Sequence, residues 1–238
     1  MVKSKLIMLS KLRYVFPNLS TTLSLSCGFY AIICSIDSNF NYAAIMIVVA
    51  FFFDGIDGRV AYLLNAQSKF GGEYDSFADL VSFGMAPAIL IDRWALIYLD
   101  KKMWLIALFY CVATAFRLAR FNILKDIPEN EKFFFSGLPC AIASGLISSI
   151  VLVCYQYHIN VPKIASLLAA LIIILSCMMM TTVKFYNIKI INTPFKLINF
   201  ILVFLVIIIF AINNHYELLL AGFLFYLYGG YHIFRGIA

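Results

Sequence analysis

Charged side chains are scarce in this sequence: Asp, Glu, Lys and Arg make up 13% of its 238 residues, and only 12 are acidic. Soluble domains carry about 25%, so a water-facing globule is a poor fit. Thiol and imidazole chemistry is also thin. The six cysteines (Cys27, Cys34, Cys111, Cys140, Cys154, Cys177) lie in apolar stretches without a CxxC pair, which argues against a zinc ribbon or disulfide scaffold and leaves them as small core residues. The three histidines, His158, His215 and His232, are scattered near expected helix ends, and none is assigned a catalytic role. No repeat of fixed period and no low-complexity tail is visible. The net charge is +6, but the basic residues sit in short clusters between apolar runs rather than on one face, so no nucleic-acid partner is expected.

What fills the chain is apolar, with 63% hydrophobic residues and a mean hydropathy of +0.94. A bilayer core about 30 Å thick needs about 20 apolar residues per crossing helix, and runs of that kind recur throughout. The pattern predicts an all-α, polytopic membrane helix bundle forming a single integral domain over residues 1–238. About eight transmembrane helices are expected, at 19–36, 41–64, 75–99, 103–121, 136–156, 163–182, 197–213 and 216–234. The intervening breaks, among them 37–41, 68–72 and 100–102, are mostly short enough to make sequential helices antiparallel. Tyr226, Tyr228, Tyr231 and His232 read as interfacial anchors.

With the N-terminus in the cytoplasm, fourteen lysines and arginines fall inside, including Lys3, Arg13, Lys69 and Arg117, against four outside (Arg93, Lys101, Lys102, Lys163). That asymmetry places both termini in the cytoplasm. The basic first 18 residues and the apolar run after them imitate a signal peptide. The run continues without a small-x-small cleavage site, so an uncleaved first helix is expected.

Against this background the acidic residues stand out. Five of the 12 (Asp54, Asp57, Glu73, Asp75, Asp79) fall within 26 positions flanking one turn. A charge at mid-helix in a bilayer costs about 2.5–3.5 kcal/mol, so four aspartates in spanning helices demand compensation. Asp54 and Asp57 are three apart, Asp75 and Asp79 four apart, and each pair shares a helix face. A short turn makes the helices neighbours, so four carboxylates converge. Two divalent cations would cancel their charge, and all-oxygen ligands favour Mg²⁺ or Mn²⁺ over zinc. Gly55, Gly58 and Ala61 leave the acidic face open to a bulky ligand, and Gly71 and Gly72 open the turn. Two plainer readings stand beside this one: Asp75 as a helix N-terminal residue stabilised by the macrodipole, and Gly58 with Ala61 as a small-residue packing stripe.

The spacing Asp54, two residues, Asp57-Gly58, two residues, Ala61, nine residues, Gly71, three residues, Asp75, three residues, Asp79 closely resembles the signature of the CDP-alcohol phosphotransferase family. Tyr62 stands where the family pattern has arginine. The likeness runs over residues 14–195 and is greatest to the serine-accepting branch. It extends to FPNLSTTLSLSCGFYAI (16–32), EYDSFADLVSFGMAPA (73–88), FRLARFN (116–122), SGLP (136–139) and VKFYNIK (183–189). Ser24 is a second departure, since relatives often carry asparagine there.

The resemblance implies a transferase of a bacterial inner membrane that takes CDP-diacylglycerol and L-serine and releases phosphatidylserine and CMP on the cytoplasmic side. Asp54, Asp57, Asp75 and Asp79 would hold the metals, with Asp79 also the general base on the serine hydroxyl. Gly58, Ala61 and Gly71 would accommodate the CDP portion, with Asn18 and Arg59 as further substrate contacts. Arg117 and Arg120, three apart at a helix end, suit a phosphate or the carboxylate of serine, or else serve as positive-inside anchors; Lys184 has the same two readings. A homodimer is compatible with all of this. Other acceptors (glycerol phosphate, inositol phosphate, choline) remain open, although they would need added basic residues or an aromatic box. A cation transporter is the alternative of another class, disfavoured because the other helices offer no polar path across the bilayer.

Overall fold

The computed structural model describes residues 2–124, 134–181, 184–186 and 216–224. Helices account for nearly all of them: α1 (Val2–Ile36), α2 (Phe40–Leu63), α3 (Lys69–Asp79), α4 (Ala86–Trp94), α5 (Trp104–Leu124), α6 (Cys140–Gln156), α7 (Val161–Met180) and α8 (216–224). Among the described residues, four segments are long and apolar enough to cross a membrane: Val15–Ile36, Lys69–Tyr98, Trp104–Ile123 and Val161–Met180. The protein is therefore a multi-pass membrane protein. The expected span at 197–213 and the part of the last one beyond 224 lie outside the described residues, as do the aromatic anchors of the C-terminal stretch.

Three helices end in the same way. Ser38, Asn65 and His158 adopt left-handed φ values of 61°, 47° and 49°. The amides of Asn39, Ala66 and Ile159 then reach back to Cys34, Ala61 and Cys154 at 2.8, 2.8 and 2.9 Å. This paired closure satisfies terminal carbonyls and lets α1, α2 and α6 stop within tight connections.

Four expectations need correction. The helix placed at 19–36 runs from Val2, with its apolar span from Val15. The helix placed at 75–99 begins six residues earlier, at Lys69, because the side chain of Ser68 accepts from the Gly71 amide at 3.0 Å and caps it. Gly71 and Gly72 therefore lie inside the first turns of α3 and do not open a loop. Next, that span is not one α-helix: a π-helical turn at Leu80–Met85 joins α3 to α4, and a 3₁₀ turn at Leu96–Tyr98 ends it. Finally, the helix expected from 136 begins at Cys140. Residues Phe134–Ser136 instead pair antiparallel with Lys184–Tyr186, which brings SGLP beside VKFYNIK.

The core is built where small residues let helices approach. α1 packs along α2, and Ala31 of α1 and Ala43, Ala44 and Ile47 of α2 are fully buried. A Cβ built at Gly28 would lie 2.6 Å from the Ser82 Cα, so only glycine admits the π turn against α1 there. Phe83 of that turn is fully buried, and its carbonyl accepts from the Tyr110 hydroxyl of α5 at 3.1 Å. On the other side, Phe223 of α8 meets Phe51 edge-on, 5.9 Å between ring centres. Of the cysteines, Cys34, Cys140 and Cys154 are buried, Cys27 and Cys111 are partly buried, and Cys177 is exposed.

Candidate functional site

Helix α2 carries Asp54 and Asp57 toward its C-terminal end, and α3, which packs on α1, carries Asp75. One carboxylate oxygen from each of these three residues lies within 4.8 Å of the other two. Asp57 is 6% exposed, and Asp54 and Asp75 are partly buried. At an effective dielectric near 20, two unit charges that close repel by about 3 kcal/mol. Arg59 folds back along α2, donates to the Gly55 carbonyl at 2.8 Å and faces the charge of Asp54. Three carboxylate oxygens this close suit a divalent cation, and the all-oxygen donor set suits a hard one.

Asp79 does not belong to this trio. It is the last residue of α3, one turn further along, where the α-helix passes into the π turn. π turns recur at functional sites because they re-aim the residues around them. The macrodipole account of Asp75 fails: α3 starts at Lys69 and has no acidic residue in its first turn, where the dipole acts. The packing account of Gly58 also fails, since a Cβ built there would meet no described atom within 4 Å. Open space beside Asp57 is what ligand approach requires. Ala61, one turn on, is partly buried, and Tyr62 is 53% exposed.

Helix α1 closes the site from the side. Asn18 is partly buried, and its Oδ1 lies 3.4 Å from a Cβ built at Gly71, so Asn18 and Gly71 meet at the entrance to α3. Thr21 donates from Oγ1 to Asp57 Oδ2 at 2.8 Å. Ser20 donates to the Phe53 carbonyl at 2.9 Å and Ser24 to the Ala50 carbonyl at 3.0 Å. Ser82, in the π turn, donates to the Ser24 carbonyl at 3.0 Å. The Thr22 and Tyr74 hydroxyls share a hydrogen bond of 2.9 Å. Sequence reading passed over these hydroxyls. Their signal was the density of serine and threonine in an otherwise apolar span, residues 20–26.

Arg117 and Arg120 reach α6 and α7. Arg117 is 8% exposed and donates from Nη1 to the Cys140 sulfur at 3.1 Å. Arg120 crosses to the C-terminus of α7 and donates to the carbonyls of Met179, Met180 and Thr181 at 3.3, 3.2 and 2.9 Å. Gly137, at φ 83°, lets the SGLP segment pass the same spot, where a Cβ would lie 2.7 Å from Arg120 Nη2. Asn122, from FRLARFN, ties α5 to α3: it donates to Glu73 Oε2 and accepts from the Ser76 hydroxyl, both at 3.1 Å. The side chain of Lys184 lies outside what is described.

Comparison with known proteins adds an independent line. A family profile described as CDP-alcohol phosphatidyltransferase matches residues 14–183. The chain is 32% identical over 192 residues to a CDP-diacylglycerol–serine O-phosphatidyltransferase of Helicobacter pylori, covering 81% of this chain and 80% of that protein. It is 35% identical over 174 residues to the enzyme of the same name from Bacillus subtilis, covering 73% and 90%. An archaetidylserine synthase of Methanothermobacter thermautotrophicus is 34% identical over 159 residues, 66% of each chain.

Proposed function

The chain belongs to the CDP-alcohol phosphatidyltransferase family, and from that premise we propose that it transfers the phosphatidyl group of CDP-diacylglycerol to L-serine, yielding phosphatidylserine and CMP. The observation that carries the proposal is the convergence of Asp54, Asp57 and Asp75 beside the open flank of Gly58. It occurs on the spacing the family signature demands, in a chain whose relatives are named for serine transfer.

The residues fit two hard divalent ions, Mg²⁺ or Mn²⁺, held by Asp54, Asp57 and Asp75 with Asp79 completing the set. Bound there, the ions supply neutralisation of the diphosphate and stabilisation of the departing CMP oxygen. The protein's own groups do the rest. Gly58, Ala61 and Gly71 accommodate the CDP moiety, and Asn18 lines its entrance. Arg59 offsets charge next to Asp54. Asp79, set apart from the trio, retains a lone pair to accept the serine hydroxyl proton as the hydroxyl oxygen attacks phosphorus. Arg117 and Arg120 brace Cys140 and the end of α7 through their N–H groups.

The site faces the cytoplasm of a bacterial inner membrane in a bundle of eight spans, on the strength of the fourteen-to-four charge asymmetry. Cysteines placed at Lys69 and Lys101 test the orientation: an impermeant thiol probe should reach the first only from the cytosol and the second only from the far side.

The activity test is CMP release from CDP-diacylglycerol by the purified protein, with serine, glycerol phosphate, inositol phosphate and choline supplied singly. Serine should support release, and excess EDTA should abolish it. Release that needs another alcohol would change the acceptor, and full release in EDTA would remove the metals.

A further inference from the structure

We propose that Thr21 is a positioning residue of the metal centre, using its hydroxyl to fix the carboxylate plane of Asp57. The inference rests on the metal reading of the aspartates. Thr21 is 4% exposed and Asp57 6%, and the 2.8 Å hydrogen bond between them joins α1 to α2 in a space without bulk water. The hydroxyl has one proton and two acceptors within reach, Asp57 Oδ2 and the Pro17 carbonyl at 3.1 Å. A threonine that merely needed satisfying inside a helix could use the carbonyl four residues back. The carboxylate is the closer acceptor and the charged one, so it takes the proton.

The neighbours of Thr21 set the register that this bond requires. Ser20 and Ser24 bind the carbonyls of Phe53 and Ala50, which locks α1 along α2 on both sides of the threonine. Ser82 on the Ser24 carbonyl and Tyr74 on Thr22 carry the same register to α3 and the π turn. Helix α1 thus contacts the chain immediately beside Asp54 and Asp75, comes within three residues of Asp79, and touches Asp57 itself. Groups that orient a metal ligand from behind commonly govern affinity about as strongly as ligands of moderate strength do.

The test is Mn²⁺ binding to the purified full-length protein, read from the free-ion paramagnetic resonance signal, with thermal unfolding recorded without metal. Thr21→Val, which keeps the shape and removes the hydroxyl, should weaken Mn²⁺ binding by about tenfold or more. Thr21→Ser should restore it close to the parent value. Ser35→Ala, which loses a buried hydroxyl bond to the Ala31 carbonyl near the other end of α1, should lower the unfolding temperature and leave Mn²⁺ affinity unchanged. Thr21→Ala gives the same reading if the valine variant does not fold. Parent-like affinity in the hydroxyl-free variants overturns the proposal, as does a loss shared equally by Thr21→Ser and Ser35→Ala. A parent protein that binds no Mn²⁺ overturns the metal reading itself, a different outcome from a parent that binds and a variant that binds equally well.

Discussion

The acidic trio and the arginine pair occupy the same end of the bundle, and both drew attention for the same reason: charge in the last turns of apolar helices. They end differently. Asp54, Asp57 and Asp75 converge to within 4.8 Å, and like charges face one another beside open space. Arg117 and Arg120, three residues apart, separate. One turns inward to the Cys140 sulfur, and the other reaches the terminal carbonyls of α7, where the negative end of the helix dipole lies. The arginine N–H groups meet protein acceptors that tie the bundle together, whereas the three carboxylates form a cluster that could hold a metal ion.

The largest effects that would break this contrast lie on the acidic side. Asp57→Asn should abolish CMP release together with affinity for the CDP lipid. Asp79→Asn should keep much more of that affinity while turnover falls about 10²- to 10⁴-fold, the usual span for a lost general base. Equilibrium binding of the CDP lipid alongside CMP release separates the two, and equal loss of affinity in both variants would take the base role from Asp79.

On the arginine side the expected damage is to folding. Arg120→Gln gives up charge-assisted bonds to three carbonyls, a loss of about 2 kcal/mol after allowing for partial exposure. It should lower the unfolding temperature and change KM for the CDP lipid little. A large rise in KM at unchanged unfolding temperature would move Arg120 to the functional side.

The smallest effect concerns Tyr62. Restoring the family arginine adds a cation near the diphosphate, but at a position 53% exposed screening leaves about 0.5–1 kcal/mol. Tyr62→Arg should therefore raise kcat/KM about two- to fivefold and partly rescue Arg59→Ala. If it does neither, Arg59 is not compensating for the missing arginine.

Much of the helical framework was legible beforehand. The expected 41–64, 103–121 and 163–182 correspond closely to Phe40–Leu63, Trp104–Leu124 and Val161–Met180, because apolar run length and flanking polar residues are local properties. The start of α3 was missed because a glycine pair outweighed one capping serine. The π turn was missed because remote partners satisfy it: Tyr110 binds the Phe83 carbonyl, and Ser82 binds the Ser24 carbonyl. The strand pairing joins segments almost fifty residues apart, beyond the reach of any local pattern.

The sequence by itself determined that this is a multi-pass helical protein and that four aspartates recur at helical spacing on either side of one turn, since intervals of three and four residues place side chains on one face whatever surrounds them. Only the tertiary structure decided that three of the four meet, that Gly58 opens onto space, that Thr21 holds Asp57 and that Arg120 serves α7. Those outcomes depend on the axial register between helices. The α1 hydroxyls and the close approach at Gly28 set that register through contacts between residues 26 to 58 positions apart.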